Sequence, residues 1–502
     1  MFKKILVANR GEIAVRNIRA CRDLNIESVA VYSEADRLAA HVQAADQAIA
    51  IGPSPSNQSY LVIEKIIQAA LKSGAEAIHP GYGFLSENPA FAEAVGRAGL
   101  VFIGPPAQAM KMMGDKIAAR NLLKDSGVPV LPGSQEIIAA DDNPAEFAGS
   151  IGYPLLIKAA AGGGGKGMRI VHIADELKST VRAARAEAKS AFGDDRIYIE
   201  KYLSERRHIE IQVLADQHGE CIFLGERECS IQRRHQKVIE EAPSAAVNEN
   251  LRRKMGETAV AVAKAGGYIN AGTAEFLVDS SGKFYFLEMN TRLQMEHPVT
   301  EMVTGLDLVV EQIKIASGES LLLRQEDVKI TGHAIECRLY AEDSVDFLPA
   351  MGEIIRYREP AGPGIRIDSG IYEGAEIVVY YDPLMAKLIA FGKDRLQAIA
   401  RMKRALDEII IAGVANNIGF HKKILSHPNF LSGDISKSFI EQYYHGPEEF
   451  SENESAAMAV AAVMKAHNHN NHQHQIRSPS EKKWLNDARK QSLGHWPAGN
   501  RG

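Results

Sequence analysis

From Ile5 to about Gly104, short apolar runs at Ile5 to Ala8, Ser28 to Tyr32, Ala75 to His79 and Leu100 to Ile103 alternate with helical patterns such as Ile13 to Leu24 and Tyr60 to Leu71. Strands separated by helix-length crossovers pair in parallel rather than as hairpins, and a parallel sheet needs helices over its faces. The rhythm then changes. After Pro105-Pro106 and a helical stretch around Met110 to Ser126, strand-like runs at Tyr153 to Ala159, Ile197 to Tyr202, His208 to Leu214 and Cys221 to Leu224 follow one another in hairpins, interrupted by helices at about Asp175 to Phe192 and Asn248 to Ala265. That is an α+β pattern. A third region, from about Thr331 to His445, opens β-rich with turn signals at Pro349, Gly352 and Pro360 to Gly364 and closes on a helix from Arg395 to Ile410.

The 502 residues suit about three domains. A content of 45% hydrophobic and 24% charged residues is that of a chain that packs. With 58 Lys and Arg against 63 Asp and Glu, the net charge of -5 supplies no global attraction to nucleic acid or an anionic membrane. No apolar run approaches the roughly 20 residues of a membrane span, and the apolar start of the chain breaks at Asn9-Arg10, too soon for a signal peptide. Cys21, Cys221, Cys229 and Cys337 lack the paired spacing of a zinc site and are too sparse for a disulfide framework, which favours a reducing, cytoplasmic setting. Past about Glu448, Ala, Asn, His, Ser and Lys take over, and His467, His469, His472 and His474 sit in a polar tract that reads as a flexible tail.

Two segments carry chemistry. The run Lys158-Ala159-Ala160-Ala161-Gly162-Gly163-Gly164-Gly165-Lys166-Gly167-Met168 does not match a P-loop, because Ala160 and Gly167 break its rule. Its glycines still leave backbone N–H groups open to anionic oxygens, and flanking strands would make it a movable flap over phosphates. The run Thr273 to Asp279, a Ser280-Ser281-Gly282 turn and the run Lys283 to Asn290 read as a hairpin. With an even-length loop, period-two alternation places Glu275 and Glu288 on one face, followed by Asn290 and Arg292. Two carboxylates and an amide oxygen beside a phosphate flap are what hard Mg²⁺ ions need. Upstream, Gln232-Arg233-Arg234-His235-Gln236-Lys237 reads by itself as a basic solvated loop.

Taken in order, Ala8 to Ala14, His79 to Asn88, Met113 to Lys116, the glycine flap, Gln232 to Lys237 and Glu288 to Glu301 resemble the motifs of the biotin carboxylases, members of the ATP-grasp ligases, over about Met1 to His445. The resemblance implies an N-terminal parallel α/β domain at 1–112, a central ATP-grasp domain at 113–330 with a mobile glycine-rich lid at about 130–203, a C-terminal β-rich domain at 331–446 and the tail at 447–502. It implies a ligase that uses ATP to phosphorylate bicarbonate to carboxyphosphate and then carboxylates the ureido N1 of biotin. Matching positions assign Lys116, Lys158, Gly164, Gly165, Glu200, Lys201, Leu203, His208, Gln232 and His235 to ATP. Glu275, Glu288 and Asn290 match a site for two Mg²⁺ or Mn²⁺ ions. Lys237, Arg292, Gln294, Met295 and Glu296 match the bicarbonate pocket, with Glu296 as base, and Arg338 matches the contact to the biotin enolate. Met295 departs from a usual Val, and Ala160-Ala161 from a frequent Ser-Gly pair.

The implied partners are a second copy of the chain, a biotin carboxyl carrier protein or domain, and a carboxyltransferase subunit. Acetyl-CoA, propionyl-CoA and pyruvate stay open as final acceptors. Two rivals compete: another ATP-grasp ligase activating a different acid, which would not keep Arg292, Glu296 and Arg338 together, and a nucleotide-sensing scaffold without chemistry. Ala109-Met110-Lys111-Met112 reproduces the tetrapeptide in which carrier proteins present biotinyl-lysine. Here Pro105-Pro106 before it and Gly114 after it predict a short helix, so Lys111 is expected to be unmodified.

Overall fold

The computed structural model describes residues 1–114, 128–134, 138, 144–159, 168–203, 206–234 and 236–446. Lys116, His235, the glycine run with Gly164 and Gly165, and the His/Asn-rich tail lie outside these residues.

Strands β1 (Lys4–Val7), β2 (Glu27–Ser33), β3 (Gln47–Gly52), β4 (Ala77–His79) and β5 (Val101–Phe102) form an all-parallel sheet in the order β3-β2-β1-β4-β5. The sequence pattern locates four of the five. It misses β3, an edge strand whose Gln47, Ala48 and Ala50 face solvent and therefore show no apolar alternation. The strand order reverses between β1 and β4, where an open parallel sheet forms a crevice at its carboxyl ends. There Asn9 donates to the carbonyls of Pro80 and Tyr82, both at 2.7 Å, which ties the exit of β1 to the loop that leads to Glu87. Lys111 lies on the helix Ala107–Gly114, exposed and ion-paired with Glu93, not at a hairpin tip.

Strands β6 (Leu155–Ala159), β7 (Arg169–Val171) and β8 (Ile197–Lys201) make a small antiparallel sheet in the order β7-β6-β8, covered by the helix Leu177–Phe192. The main sheet has eight strands. Its first six, in spatial order, are β13 (Phe284–Asn290), β12 (Asn270–Asp279), β9 (Arg206–Ala215), β10 (Cys221–Arg233), β11 (Gln236–Ala242) and β14 (His333–Tyr340). The strands Leu384–Gly392 and Ile365–Ser369 complete it, so the central and C-terminal regions share one antiparallel sheet.

Alternation along β9 explains how this sheet is used. Ile209, Ile211 and Val213 point to one face and pack with Ala274 and Phe276 of β12 against Met255, Ala259, Val262 and Ala263 of the helix Glu249–Ala265. Those helix positions recur at helical spacing, and Asn248 caps the first turn by accepting from the Leu251 N–H at 2.9 Å. Gly256 lets the helix approach: a Cβ there would sit 2.4 Å from the Phe223 ring. His208, Glu210 and Gln212 point to the opposite face, all buried. Burying such groups is tolerable only if they are paired.

The segment Gln232 to Lys237 corrects the solvated-loop reading. β10 runs on to Arg233, and Gln232 and Lys237 are register partners at the end of the β10–β11 hairpin. Ile231, Val238 and Ile239 on either side are buried, and they carry the basic residues into the sheet.

Candidate active site

The hairpin of β12 and β13 is present, with a register that differs in detail from an even loop. Its turn is the three residues Ser280, Ser281 and Gly282, and Val278 pairs with Phe284, Leu277 with Tyr285 and Phe276 with Phe286. Continued without change, that register would set Glu275 against Leu287. An irregularity inserts Leu287 as an extra residue, and Glu275 lies opposite Glu288. The next strand places Glu210 beside Glu275, and β10 places Arg227 beside Glu210. Arg227, Glu210, Glu275 and Glu288 therefore form one row across four strands.

Adjacent carboxylates repel, and the surrounding groups offset this. Arg227, fully buried, reaches Glu210 Oε2 at 3.3 Å, Gln212 Oε1 at 2.7 Å and the Thr273 and Thr300 hydroxyls at 2.9 and 3.0 Å. Lys237 Nζ contacts Glu210, and lies 3.0 Å from Glu275 Oε1, 2.7 Å from Glu296 Oε1 and 3.3 Å from Gln294 Oε1. Burial works against the Lys237 ammonium, but Glu275 and Glu296 outweigh it and hold its pKa above the ordinary value. His208 Nε2 is 3.1 Å from Glu275 and 3.2 Å from Glu210. Its burial holds the imidazole below its usual range despite Glu275. Burial also pushes the Glu275 carboxyl up, yet Lys237 and His208 bring it well below the carboxylate range.

Glu296 lies at the end of this network, just before the helix His297–Thr304. It accepts from Lys237 on one oxygen and from Arg338 Nη2 on the other at 3.0 Å. Its burial is outweighed by Lys237, Arg338 and Arg227, so it stays ionised. Arg338, on β14, also contacts Glu240 of β11, and its own carbonyl accepts from Asn417 at 3.0 Å and His421 at 2.8 Å. Arg292 donates to Glu87 at 2.9 Å and to Asn290 Oδ1 at 3.3 Å. Asn290 in turn donates to Glu275 at 2.7 Å, as does Gln294 at 3.0 Å. The Met295 carbonyl accepts from the fully buried Lys387 at 2.9 Å.

The remaining candidates gather at a pocket lined by Lys158, Lys201, Leu203 and Gln232, floored by Leu277 and Leu287 of the hairpin. Lys158 pairs with Glu200 at 2.6 Å across β6 and β8, Lys201 donates to the carbonyls of Gly152 and Tyr153, and Gln232 to that of Cys229 at 2.8 Å. Glu275 and Glu288 are register partners and Asn290 follows two positions on, its amide bonded to Glu275; oxygens of this kind are hard donors that suit Mg²⁺ or Mn²⁺. Glu210, Arg227, Glu240, Glu87 and Lys387 were not singled out from the sequence. A usable signal existed for Glu210: His208-Ile209-Glu210-Ile211-Gln212 alternates with period two, and Ile209 and Ile211 on either side of Glu210 are core residues.

Family comparisons match three models in succession: the biotin carboxylase N-terminal domain over residues 1–110, the ATP-binding domain of the carbamoyl-phosphate synthase L chain over 115–324 and the biotin carboxylase C-terminal domain over 336–442. Biotin carboxylase 1 of Bacillus subtilis is 54% identical over 445 residues, covering 88% of this chain and 99% of its own length. The propionyl-CoA carboxylase alpha chain of Ruegeria pomeroyi is 51% identical over 488 residues, with 93% of this chain and 72% of its own length covered. Among solved structures, the biotin carboxylase domain dimer of the Hydrogenobacter thermophilus 2-oxoglutarate carboxylase, in complex with MgADP, ADP and bicarbonate, superposes with a TM-score of 0.85 at 47% identity, covering 89% of this chain and 98% of that one.

Proposed function

The chain belongs to the biotin carboxylase family, and from that premise we propose how its own residues divide the work of ATP-dependent biotin carboxylation. ATP phosphorylates bicarbonate to carboxyphosphate, and the carboxyl group then passes to the ureido N1 of biotin. The proposed nucleotide site is the pocket of Lys158, Lys201, Leu203 and Gln232, with Glu200 acting through its pair with Lys158. Lys116, Gly164, Gly165, His208 and His235 complete it by their match to the family motifs. Mg²⁺ or Mn²⁺ held by Glu275, Glu288 and Asn290 would neutralise phosphate charge during transfer.

Bicarbonate is assigned to Arg292, Gln294, Met295, Lys237 and Glu296. Glu87 and Asn290 hold the Arg292 guanidinium, which presents a planar fork suited to a planar anion. The observation that carries the reading is Lys237, one ammonium hydrogen-bonded to both Glu275 of the metal set and Glu296 of the bicarbonate set. It couples phosphate chemistry to proton removal. Glu296 is ionised, as a base must be, although Lys237 and Arg338 make it a weak one. Anions that draw on those two cations raise its proton affinity, so Glu296 strengthens as a base when bicarbonate and phosphate are present. Arg338 then stabilises negative charge that develops on the ureido oxygen of biotin.

Within this scheme, residues 1–112, 113–330 and 331–446 act as domains around a site to which all three contribute, through Glu87, the hairpin and Arg338. A separate carrier protein supplies biotin, a carboxyltransferase subunit selects the acceptor, and the chain works as a homodimer in the cytoplasm. The relatives support that setting, since they include the alpha chain of a propionyl-CoA carboxylase and a dimer of a 2-oxoglutarate carboxylase domain. No helix among the described residues is long and apolar enough to cross a membrane. The test is steady-state ATP cleavage with Mg²⁺, titrated with bicarbonate and free biotin. The rate is expected to rise when both are supplied, and an ATPase indifferent to bicarbonate would overturn the assignment.

A further inference from the structure

The turn Gln294-Met295-Glu296, assigned above to bicarbonate, is held at its backbone by a side chain 92 positions further along the chain. Its first carbonyl is served from within the turn. Gln294 O accepts from the His297 backbone N–H at 3.2 Å and from His297 Nδ1 at 2.8 Å. The next carbonyl cannot be served in that way. Three positions after Met295 stands Pro298, which has no N–H to close a turn, and the Val299 N–H goes to the Glu296 carbonyl at 3.4 Å. Among the described residues, the one donor to the Met295 carbonyl is the Lys387 ammonium, at 2.9 Å.

Lys387 is fully buried on the strand Leu384–Gly392, and its register partner on β14 is Arg338. One pair of neighbouring strand positions therefore reaches Glu296 twice, Arg338 at its carboxylate and Lys387 at the peptide that precedes it. The other groups at the Lys387 ammonium are Glu12 at 3.2 Å, Asp368 at 3.8 Å and the Tyr82 ring, whose centroid is 5.7 Å away. Asp368 is already bonded to Arg366 at 2.8 and 3.0 Å, so Glu12 is the closer counter-charge and the Met295 carbonyl the fixed point. A peptide unit is planar and rigid, and holding the Met295 carbonyl sets the orientation of the Glu296 N–H and the root of its side chain. Met295 itself offers an anion only its backbone N–H, since a thioether has no proton to donate. Among the described residues that N–H has no acceptor.

We propose that Lys387 is a positioning residue for bicarbonate: by holding the Met295 carbonyl it keeps the Met295 N–H and the Glu296 carboxylate in place, without touching the substrate. The proposal rests on the assignment of this turn to bicarbonate. It is tested in the full chain by the KM values for bicarbonate and for ATP in bicarbonate-dependent ATP cleavage. Three proteins are compared: wild type, Glu12→Gln, and the double variant Glu12→Gln, Lys387→Met. Glu12→Gln removes the counter-charge and leaves the bond to Met295, and in the double variant no unpaired Glu12 remains to obscure the loss of that bond. The double variant is expected to raise the bicarbonate KM about tenfold with the ATP KM within about twofold, whereas Glu12→Gln alone keeps both within about twofold. An unchanged bicarbonate KM in the double variant, an equal rise in the ATP KM, or the full rise already in Glu12→Gln would overturn it. Should the double variant lose its thermal transition, Lys387→Gln in the same background reads the same loss of the ammonium, and unfolding of that protein too would make Lys387 structural. ATP cleavage by the wild type that ignores bicarbonate would instead remove the assignment of the turn.

Discussion

Glu296 and Arg338 illustrate how strongly single residues here depend on partners far away in sequence. Arg338 lies between Glu240 and Glu296, all three buried, so removing it takes from Glu240 its ion-pair partner and leaves Glu296 to Lys237. Arg338→Gln is expected to lower stability by about 3–5 kcal/mol, and adding Glu240→Gln should recover part of the loss; a denaturant titration of the single and double variants measures both. The same variant removes one of the cations that hold Glu296 down. The acidic limb of bicarbonate-dependent ATP cleavage should then move to higher pH, because a carboxylate relieved of a cation keeps its proton to higher pH. An unmoved limb would detach Glu296 from that step. Glu288→Gln, opposite Glu275, should reduce Mg²⁺-dependent turnover by at least about tenfold while shifting the thermal midpoint little, since an amide cannot replace a charged metal donor. Lost folding with full turnover per folded molecule would make Glu288 structural. Glu296 stands out in the sequence because it lies in the run Glu288 to Glu301, which resembles a family motif, and Arg338 only as a single position matching that family. Glu240 does not, because only the β11–β14 register brings it to Arg338, 98 positions later.

At the level of elements, the hairpin was visible as two apolar runs around Ser280-Ser281-Gly282, but its register was not. The three-residue turn and the inserted Leu287 each shift the pairing by one position, and the two shifts cancel. Period-two reasoning reached the right face by an even loop that does not exist. Gly282 adopts φ +81°, a left-handed conformation in open space. Gly282→Ala should cost about 1 kcal/mol from backbone strain alone, and Gly282→Asn distinctly less; thermal melts of the two variants check this. Equal, negligible effects would mean that the turn relaxes. The end of the β10–β11 hairpin was harder to read, because Gln232 to Lys237 looks solvated by composition. The burial of Gln232 and the half-burial of Arg233 and Lys237 follow from their strand neighbours and not from their own composition, while Arg234 stays exposed.

Across the whole molecule, the parallel N-terminal sheet was evident from its strand–helix rhythm, whereas the continuity of one eight-stranded sheet across residue 331 was not. Strand order is set by contacts between distant segments, and no local pattern encodes it. Lys387 binds three of those segments: it is 3.2 Å from Glu12 of the first helix, 3.8 Å from Asp368 and 2.9 Å from the Met295 carbonyl. Burial pushes the Glu12 carboxyl up to about 7 despite Lys387. Because its folded pKa exceeds the ordinary 4.5, Glu12 contributes stability that is fully present below that value and is lost as pH rises to about 7. Glu12→Gln should therefore flatten the fall in thermal midpoint between those limits. Identical slopes in the two proteins would place Glu12 in its ionised form throughout. The most direct test of the account as a whole is transfer of label from ¹⁴C-bicarbonate to free biotin by the purified chain with MgATP. Acid-labile carboxybiotin formed in proportion to ADP, and lost in Arg338→Ala while bicarbonate-dependent ATP cleavage persists, is the predicted result; ATP cleavage by the wild type without labelled biotin would contradict it.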